Sequence, residues 1–136
     1  MKYKDTIKDR KKLHQKLWDL KSELIRKKAK GICYTCGQRY WNEELGENDW
    51  KRMQAGHFRH NVLDFDPMNI HSQCSRCNHF LSGNGVIYSR NLIRDYGLDE
   101  VEELHKRADK ALSGELYTLE WYLEEINKTK NELKEI

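Results

Sequence analysis

Four cysteines in the order Cys33-Tyr-Thr-Cys36 and Cys74-Ser-Arg-Cys77 form two CxxC knuckles; Gly56-His57 lies between them, and Asn78 directly follows the last cysteine. Each knuckle can present two thiolates to a tetrahedral ion, and two knuckles joined by a long loop fill its four positions. The pattern predicts one structural zinc with no open coordination position, so any catalysis has to come from His57, Asn78 and their neighbours. Two disulfides, or unrelated core thiols, are the other uses of four cysteines. The chain opens Met1-Lys-Tyr-Lys-Asp without an apolar leader and has no apolar run long enough to span a bilayer. A reducing cytoplasm is the expected setting, and it favours zinc.

Cutting a phosphodiester requires a base to activate water, a cation to neutralise charge on the phosphate and the leaving oxygen, and a frame that holds them in line. A neutral imidazole suits the base, because its ordinary pKa lies near physiological pH. An asparagine carbonyl oxygen is a hard ligand suited to Mg²⁺, which keeps most of its waters and needs few protein ligands. His57 on a strand and Asn78 at a helix start are the residues that fit. His14, His60, His71, His79 and His105 have no such placement and read as structural.

The elements that must position this pair follow from pattern. Leu13, Leu17, Leu20 and Leu24, widened by Trp18 and Ile25, form a helical stripe that Gly31 ends. Asp99-Glu-Val-Glu102 has the spacing of a capping box, and Thr118 can cap a second helix bearing Leu119, Leu123, Ile126 and Leu133. Ser89 to Tyr96, closed by Gly97, reads as a shorter helix. Strands are expected at Gln38–Trp41 and Met53–Phe58, a polar loop at 43–49, a turn at Asp66-Pro67, and a short helix from Asn78 that ends at Ser82-Gly83.

Charge divides the chain the same way. Of 136 residues, 1–30 carry +8, 31–98 are neutral and 99–136 carry −5. The domain reading is a basic amphipathic helical arm (1–30), a zinc-bound core (31–98) and an acidic helical tail (99–136) that packs on the core or the arm, with a homodimer through the terminal helices as the other use of the stripes. A basic arm is the usual electrostatic footprint of nucleic-acid binding; a solvated helix face is the plain alternative. A third of the residues are charged, so the core is small and zinc would compensate.

In these residues the chain resembles a known group. The order CxxC, Gly-His, Asn69-Ile, CxxC-Asn is similar to the zinc-containing His-Me finger (HNH) nucleases of phage recombination. More narrowly, Ala55-Gly-His-Phe58, Asn69-Ile-His-Ser-Gln-Cys74, Cys77-Asn78, Ser82-Gly-Asn84, Tyr88, and Leu92 with Tyr96-Gly97 resemble the phage lambda NinG (Rap) family, over about Ile32 to Gly97. The resemblance implies an α+β fold: a zinc-stapled ββα-metal core flanked by terminal helices. It implies a metal-dependent endonuclease in a phage-infected or prophage-carrying cell that hydrolyses branched DNA such as Holliday junctions or D-loops.

Carried over by position, the resemblance makes His57 the general base, Asn69 the fastener of the loop behind that base, and Asn78 the ligand of a catalytic Mg²⁺ or Mn²⁺. Many such enzymes place an aspartate before the base as a second ligand; here that position is Gly56, and Asn84, Asp64 and Asp66 remain as outer-shell partners. Arg59 and Arg76 flank the catalytic positions as phosphate contacts, and Lys8, Lys11, Lys12 and Lys16 supply salt-dependent affinity for DNA. The rival class is a non-catalytic zinc ribbon that binds DNA or a replication partner, which needs the cysteines but makes no demand on His57 or Asn78.

Overall fold

The computed structural model describes residues 2–136. Helix α1 (Ile7–Lys28) starts where Thr6 Oγ1 accepts the Asp9 N–H at 3.1 Å, and it ends in three basic residues that favour the negative pole of the helix dipole. Gly31 then turns the chain with φ +79°, and a Cβ there would meet the Tyr40 carbonyl oxygen at 2.6 Å, so the turn admits only glycine.

Residues 38–40 do not form the expected strand. They close the first knuckle instead: Cys33 N–H donates to Gln38 O, and Tyr40 N–H donates to Gly31 O. Arg39 thereby makes a single antiparallel bridge with Ile32, and continuous pairing starts at Trp41, in a hairpin of β1 (Trp41–Asn42) and β2 (Glu47–Asn48) that takes up part of the expected loop. The second ribbon positions the site. It pairs β3 (Gln54–His57) antiparallel with β4 (Ile70–Gln73), in the register Gln54 to Gln73, Gly56 to His71 and His57 to Ile70. β4 carries little strand signal because Ile70, Ser72 and Gln73 are all buried, which erases the polar and apolar alternation of a half-exposed strand.

After the second knuckle a wide π-helical turn spans Arg76–Phe80, so Asn78 sits mid-turn rather than at a helix start. The cause is the knuckle, whose Cys74 carbonyl accepts the Asn78 N–H at 2.9 Å. Helix α2 (Gly85–Tyr96) begins one turn earlier than its apolar pattern indicates. Helix α3 (Leu98–Lys110) is capped by the backbone of Gly97, not by an Asp99 side chain; Asp99 and Glu100 lie in its first turn, where the helix dipole favours them. Helix α4 (Leu119–Lys134) is capped as its sequence indicates, with Thr118 Oγ1 accepting the Trp121 N–H at 3.2 Å.

Among the described residues the core forms three small clusters. Leu13 and Leu17 of α1 meet Leu119, Tyr122 and Ile126 of α4. Tyr88 and Leu92 of α2 meet Val101 and Leu104 of α3. The four-cysteine region has, among the described residues, only Met53 and Tyr40 for apolar company. The apolar stripes of α1 and α4 thus cover each other within one chain, and Lys21–Glu125 (3.7 Å) and Lys28–Glu132 (3.3 Å) pair at their rims. Among the described residues no helix is long and apolar enough to cross a membrane.

Candidate functional site

The ligand atoms of Cys33, Cys36, Cys74 and Cys77 all lie within 4.8 Å of one another, and none is disulfide-bonded. Cys36 and Cys74 sulfurs are 3.8 Å apart, far beyond the ~2.05 Å of a disulfide. That spacing matches the edge of a tetrahedron with metal–sulfur bonds of about 2.3 Å, so the set fits one zinc. Donors already face the sulfurs: Thr35 Oγ1 stands 3.2 Å from Cys33, and Asn84 Nδ2 donates to Cys77 at 3.6 Å. Burial pushes the Cys33 thiol up, but hydrogen bonds from Thr35 and the surrounding backbone outweigh it and hold the pKa near 6. Burial drives Cys36 up to about 12, with the neighbouring thiols reinforcing it.

The histidine side is built around Asn69, which is wholly buried. Its Oδ1 accepts the Arg59 N–H at 2.7 Å, and its Nδ2 donates to the carbonyls of Arg59 and Val62 at 3.0 Å and Leu63 at 3.2 Å. One side chain therefore ties down the loop between β3 and β4. That loop needs the tie, because Asn61 (φ +66°) and Leu63 (φ +51°) are both left-handed, a costly conformation for leucine.

The clamped loop carries Asp64 to His57. His57 Nε2 lies 3.3 Å from the Asp64 carbonyl and 3.6 Å from its carboxylate. Both are acceptors, so Nε2 carries the proton and Nδ1 keeps its lone pair. Burial lowers the His57 pKa from its ordinary 6.5, Asp64 partly opposes this, and His60 adds to it. The ring is neutral at neutral pH. Trp18 of α1 stacks on it at 4.7 Å and 16°.

Sequence reasoning missed the other holder of Asp64. His14 of α1 approaches the second carboxylate oxygen at 2.8 Å and meets the Tyr122 hydroxyl of α4 at 2.7 Å. Nothing local in the sequence signals that chain, because its members lie fifty and more positions apart. Between α1, this loop and the α3–α4 link is a cleft of about 370 Å³, walled by His14, Trp18, His57, His60 and Asp64.

Asn78 approaches β3 from the turn after the second knuckle. Its Nδ2 donates to Gln54 Oε1 at 2.8 Å, and its Oδ1 would stand 2.8 Å from a Cβ at Gly56, so its carboxamide faces the residue that precedes His57. The Oδ1 is a hard oxygen that fits a divalent cation, but among the described residues only the cysteines group three or more His, Cys, Asp or Glu ligands. Gly56 is held from α2: Tyr88 Oη donates to its carbonyl at 2.9 Å and stands 3.0 Å from His71 Nδ1.

Asp66 caps Met68 N–H and pairs with Arg107, and Asn84 faces Cys77; of the three outer-shell candidates only Asp64 reaches His57. Arg59 is engaged by Asp109 at 2.6 Å and by His105 at 2.8 Å, so it is drawn to α3. Arg76, Lys8, Lys11, Lys12 and Lys16 are exposed.

The family model described as Bacteriophage Lambda NinG protein matches residues 1–136. The chain belongs to the NinG family. Relatives named protein ninG include that of Salmonella phage P22, 40% identical over 82 residues that make up 55% of this chain and 36% of the relative. That of Escherichia phage lambda is 38% identical with the same coverage, and that of Enterobacteria phage H19B is 45% identical over 60 residues, 39% of this chain and 30% of the relative. The chain spans about a third of the length of these curated NinG relatives. No solved structure matches it significantly.

Proposed function

We propose that this NinG-family chain is a metal-dependent endonuclease of the His-Me finger type that hydrolyses phosphodiesters in branched recombination intermediates. The observation that carries the reading is His57: a neutral imidazole whose Nε2–H is held by Asp64 while Nδ1 is free, at the wall of an open cleft. In that state Nδ1 takes a proton from an attacking water, and the Asp64 carboxylate steadies the imidazolium that forms. Asn69 keeps Asp64 in place and Trp18 fixes the ring plane, so base and cleft are preorganised. A divalent cation held at Asn78 would neutralise the scissile phosphate and the 3′ leaving oxygen. The products are a 5′-phosphate and a 3′-hydroxyl.

Helix α1 adds the DNA-facing charge. Lys11 and Lys8 precede Gln15, a cleft residue, by one and two helical turns, so they extend the cleft face of the helix. Lys12 and Lys16 point elsewhere on the same helix. The test is purified chain incubated with Mg²⁺ or Mn²⁺ on four-way junction, flap and plain duplex DNA. Divalent-dependent nicking with preference for the branched substrates supports the reading. Binding without cleavage under every condition would leave a zinc-ribbon module instead.

A further inference from the structure

Gly56 has no side chain, and its open side is already taken. A Cβ built there would overlap Gln73 Oε1, and both that oxygen and Asn78 Oδ1 lie less than 3.0 Å from the point it would occupy. Two carboxamide oxygens, one from β4 and one from the turn after it, thus converge beside the residue that precedes His57.

The orientation of each amide is fixed by its nitrogen. Gln73 Nε2 donates to the Gly83 carbonyl at 2.9 Å and to Thr35 Oγ1 at 3.3 Å; reversed, its oxygen would face the Gly83 carbonyl with no proton between them. Asn78 Nδ2 is committed to Gln54 Oε1 at 2.8 Å. Gln73 is fully buried, and its Oε1 has no hydrogen-bond partner. A buried amide oxygen, aimed and left without a donor, calls for a partner. A hard divalent cation, which accepts neutral carbonyl oxygens and fills its other positions with water, is one that two such oxygens can share.

We infer that Gln73 is a second protein ligand of the divalent cation assigned above to Asn78, so that two carboxamides from adjacent elements hold it against the Gly56 backbone. The inference rests on the nuclease reading, since it supplies that reading's cation. Gly56 is then required for space: any side chain there displaces the Gln73 oxygen from the site.

The test needs no DNA and no turnover. Mn²⁺ binding to the zinc-loaded full chain is followed by the loss of the free-ion electron paramagnetic resonance signal, with zinc content and circular dichroism recorded for every variant. Asn78→Ala serves as reference and should weaken Mn²⁺ binding. Gln73→Leu, of similar size but without the oxygen, should weaken it about tenfold or more, the usual scale for losing a group that supports a metal site. Gln73→Glu keeps the length, adds a charge and should tighten it. If Gln73→Leu fails to keep its zinc or its fold, Gln73→Glu decides, and unchanged affinity there overturns the inference. Weaker binding in Asn78→Ala with no response from either Gln73 variant overturns the inference and leaves the nuclease reading standing. Indifference to all three substitutions removes both, and a buried water is then the partner of the Gln73 oxygen.

Discussion

Three of the four cysteines are buried and the fourth stands in sulfur contact with Cys74, so every ligand of that centre faces another. His57 is also largely buried, with 18% of its side chain exposed, and it too is held by hydrogen bonds, but they take only one ring nitrogen. Both sites grow from the β3–β4 ribbon and its flanks. The first is closed, so its chemistry ends in holding the fold; the second leaves a lone pair and a cleft unused by the fold. Burial alone does not separate a structural group from a reactive one; unfilled valence facing open space does. His71 makes the same point from the ribbon's opposite face. It is as deeply set as His57, but Tyr34 stacks on it at 3.8 Å and the Tyr88 and Tyr96 hydroxyls reach both its nitrogens.

The largest effect should come from breaking the closed site. Among the described residues only Met53 and Tyr40 give the sulfurs apolar company, so a bound zinc would stand in for a missing core. A structural zinc contributes on the order of 10 kcal/mol or more, as much as a whole domain's net stability. Cys74→Ser should therefore abolish cooperative melting by circular dichroism, and a strong chelator should do the same to the parent protein. A metal-free chain that melts as the loaded one does would end the distinction between the two sites.

Acid should act next, through His71. Burial holds its pKa down to about 4 from the ordinary 6.5, so the folded state resists a proton that the unfolded chain accepts. Stability is full above pH 6.5 and declines as pH falls toward 4. Urea midpoints measured across that window should drop, and His71→Phe should flatten the decline.

Asp64→Asn tests the open site more gently. The carboxylate raises the His57 pKa against burial, so its removal should lower that pKa further. By NMR the His57 titration should move to lower pH, and the acid limb of any cleavage profile should move with it. An upward shift would show that Asp64 is not the charge His57 feels.

The smallest effect concerns the arm. Replacing Lys8 and Lys11 together with alanine should flatten the salt dependence of DNA affinity by up to about two units, one for each phosphate that a lysine no longer neutralises. The pair Lys12 and Lys16 should matter less because it lies off the cleft face. Equal effects would mean that the arm attracts DNA without aiming it.

The sequence made the cysteine spacing, the α1 and α4 stripes and the Thr118 cap legible, because each is a local pattern with a fixed period. His57 and Asn78 stood out by their places around the knuckles and Asn69 through the family resemblance; the structure sets His57 on β3, Asn69 in the loop directly before β4 and Asn78 in the turn after the second knuckle. Partners that depend on tertiary contact stayed invisible: Trp18 against His57, His14 and Tyr122 behind Asp64, and Asp109 drawing Arg59 to α3. The capping-box reading of Asp99 failed because the positive-φ Gly97 begins α3 through its backbone. Strand β4 escaped because a strand buried on both faces does not alternate.

Cleavage of a four-way junction by parent and His57→Ala protein, under single-turnover conditions in Mn²⁺, bears most directly on the central claim that the open imidazole is a general base. Zinc content, circular dichroism and junction affinity are measured on the same samples. The expected result is a rate lower by about a hundredfold or more, with zinc, fold and affinity unchanged. A His57→Ala protein that cuts the junction as fast as its parent would contradict it.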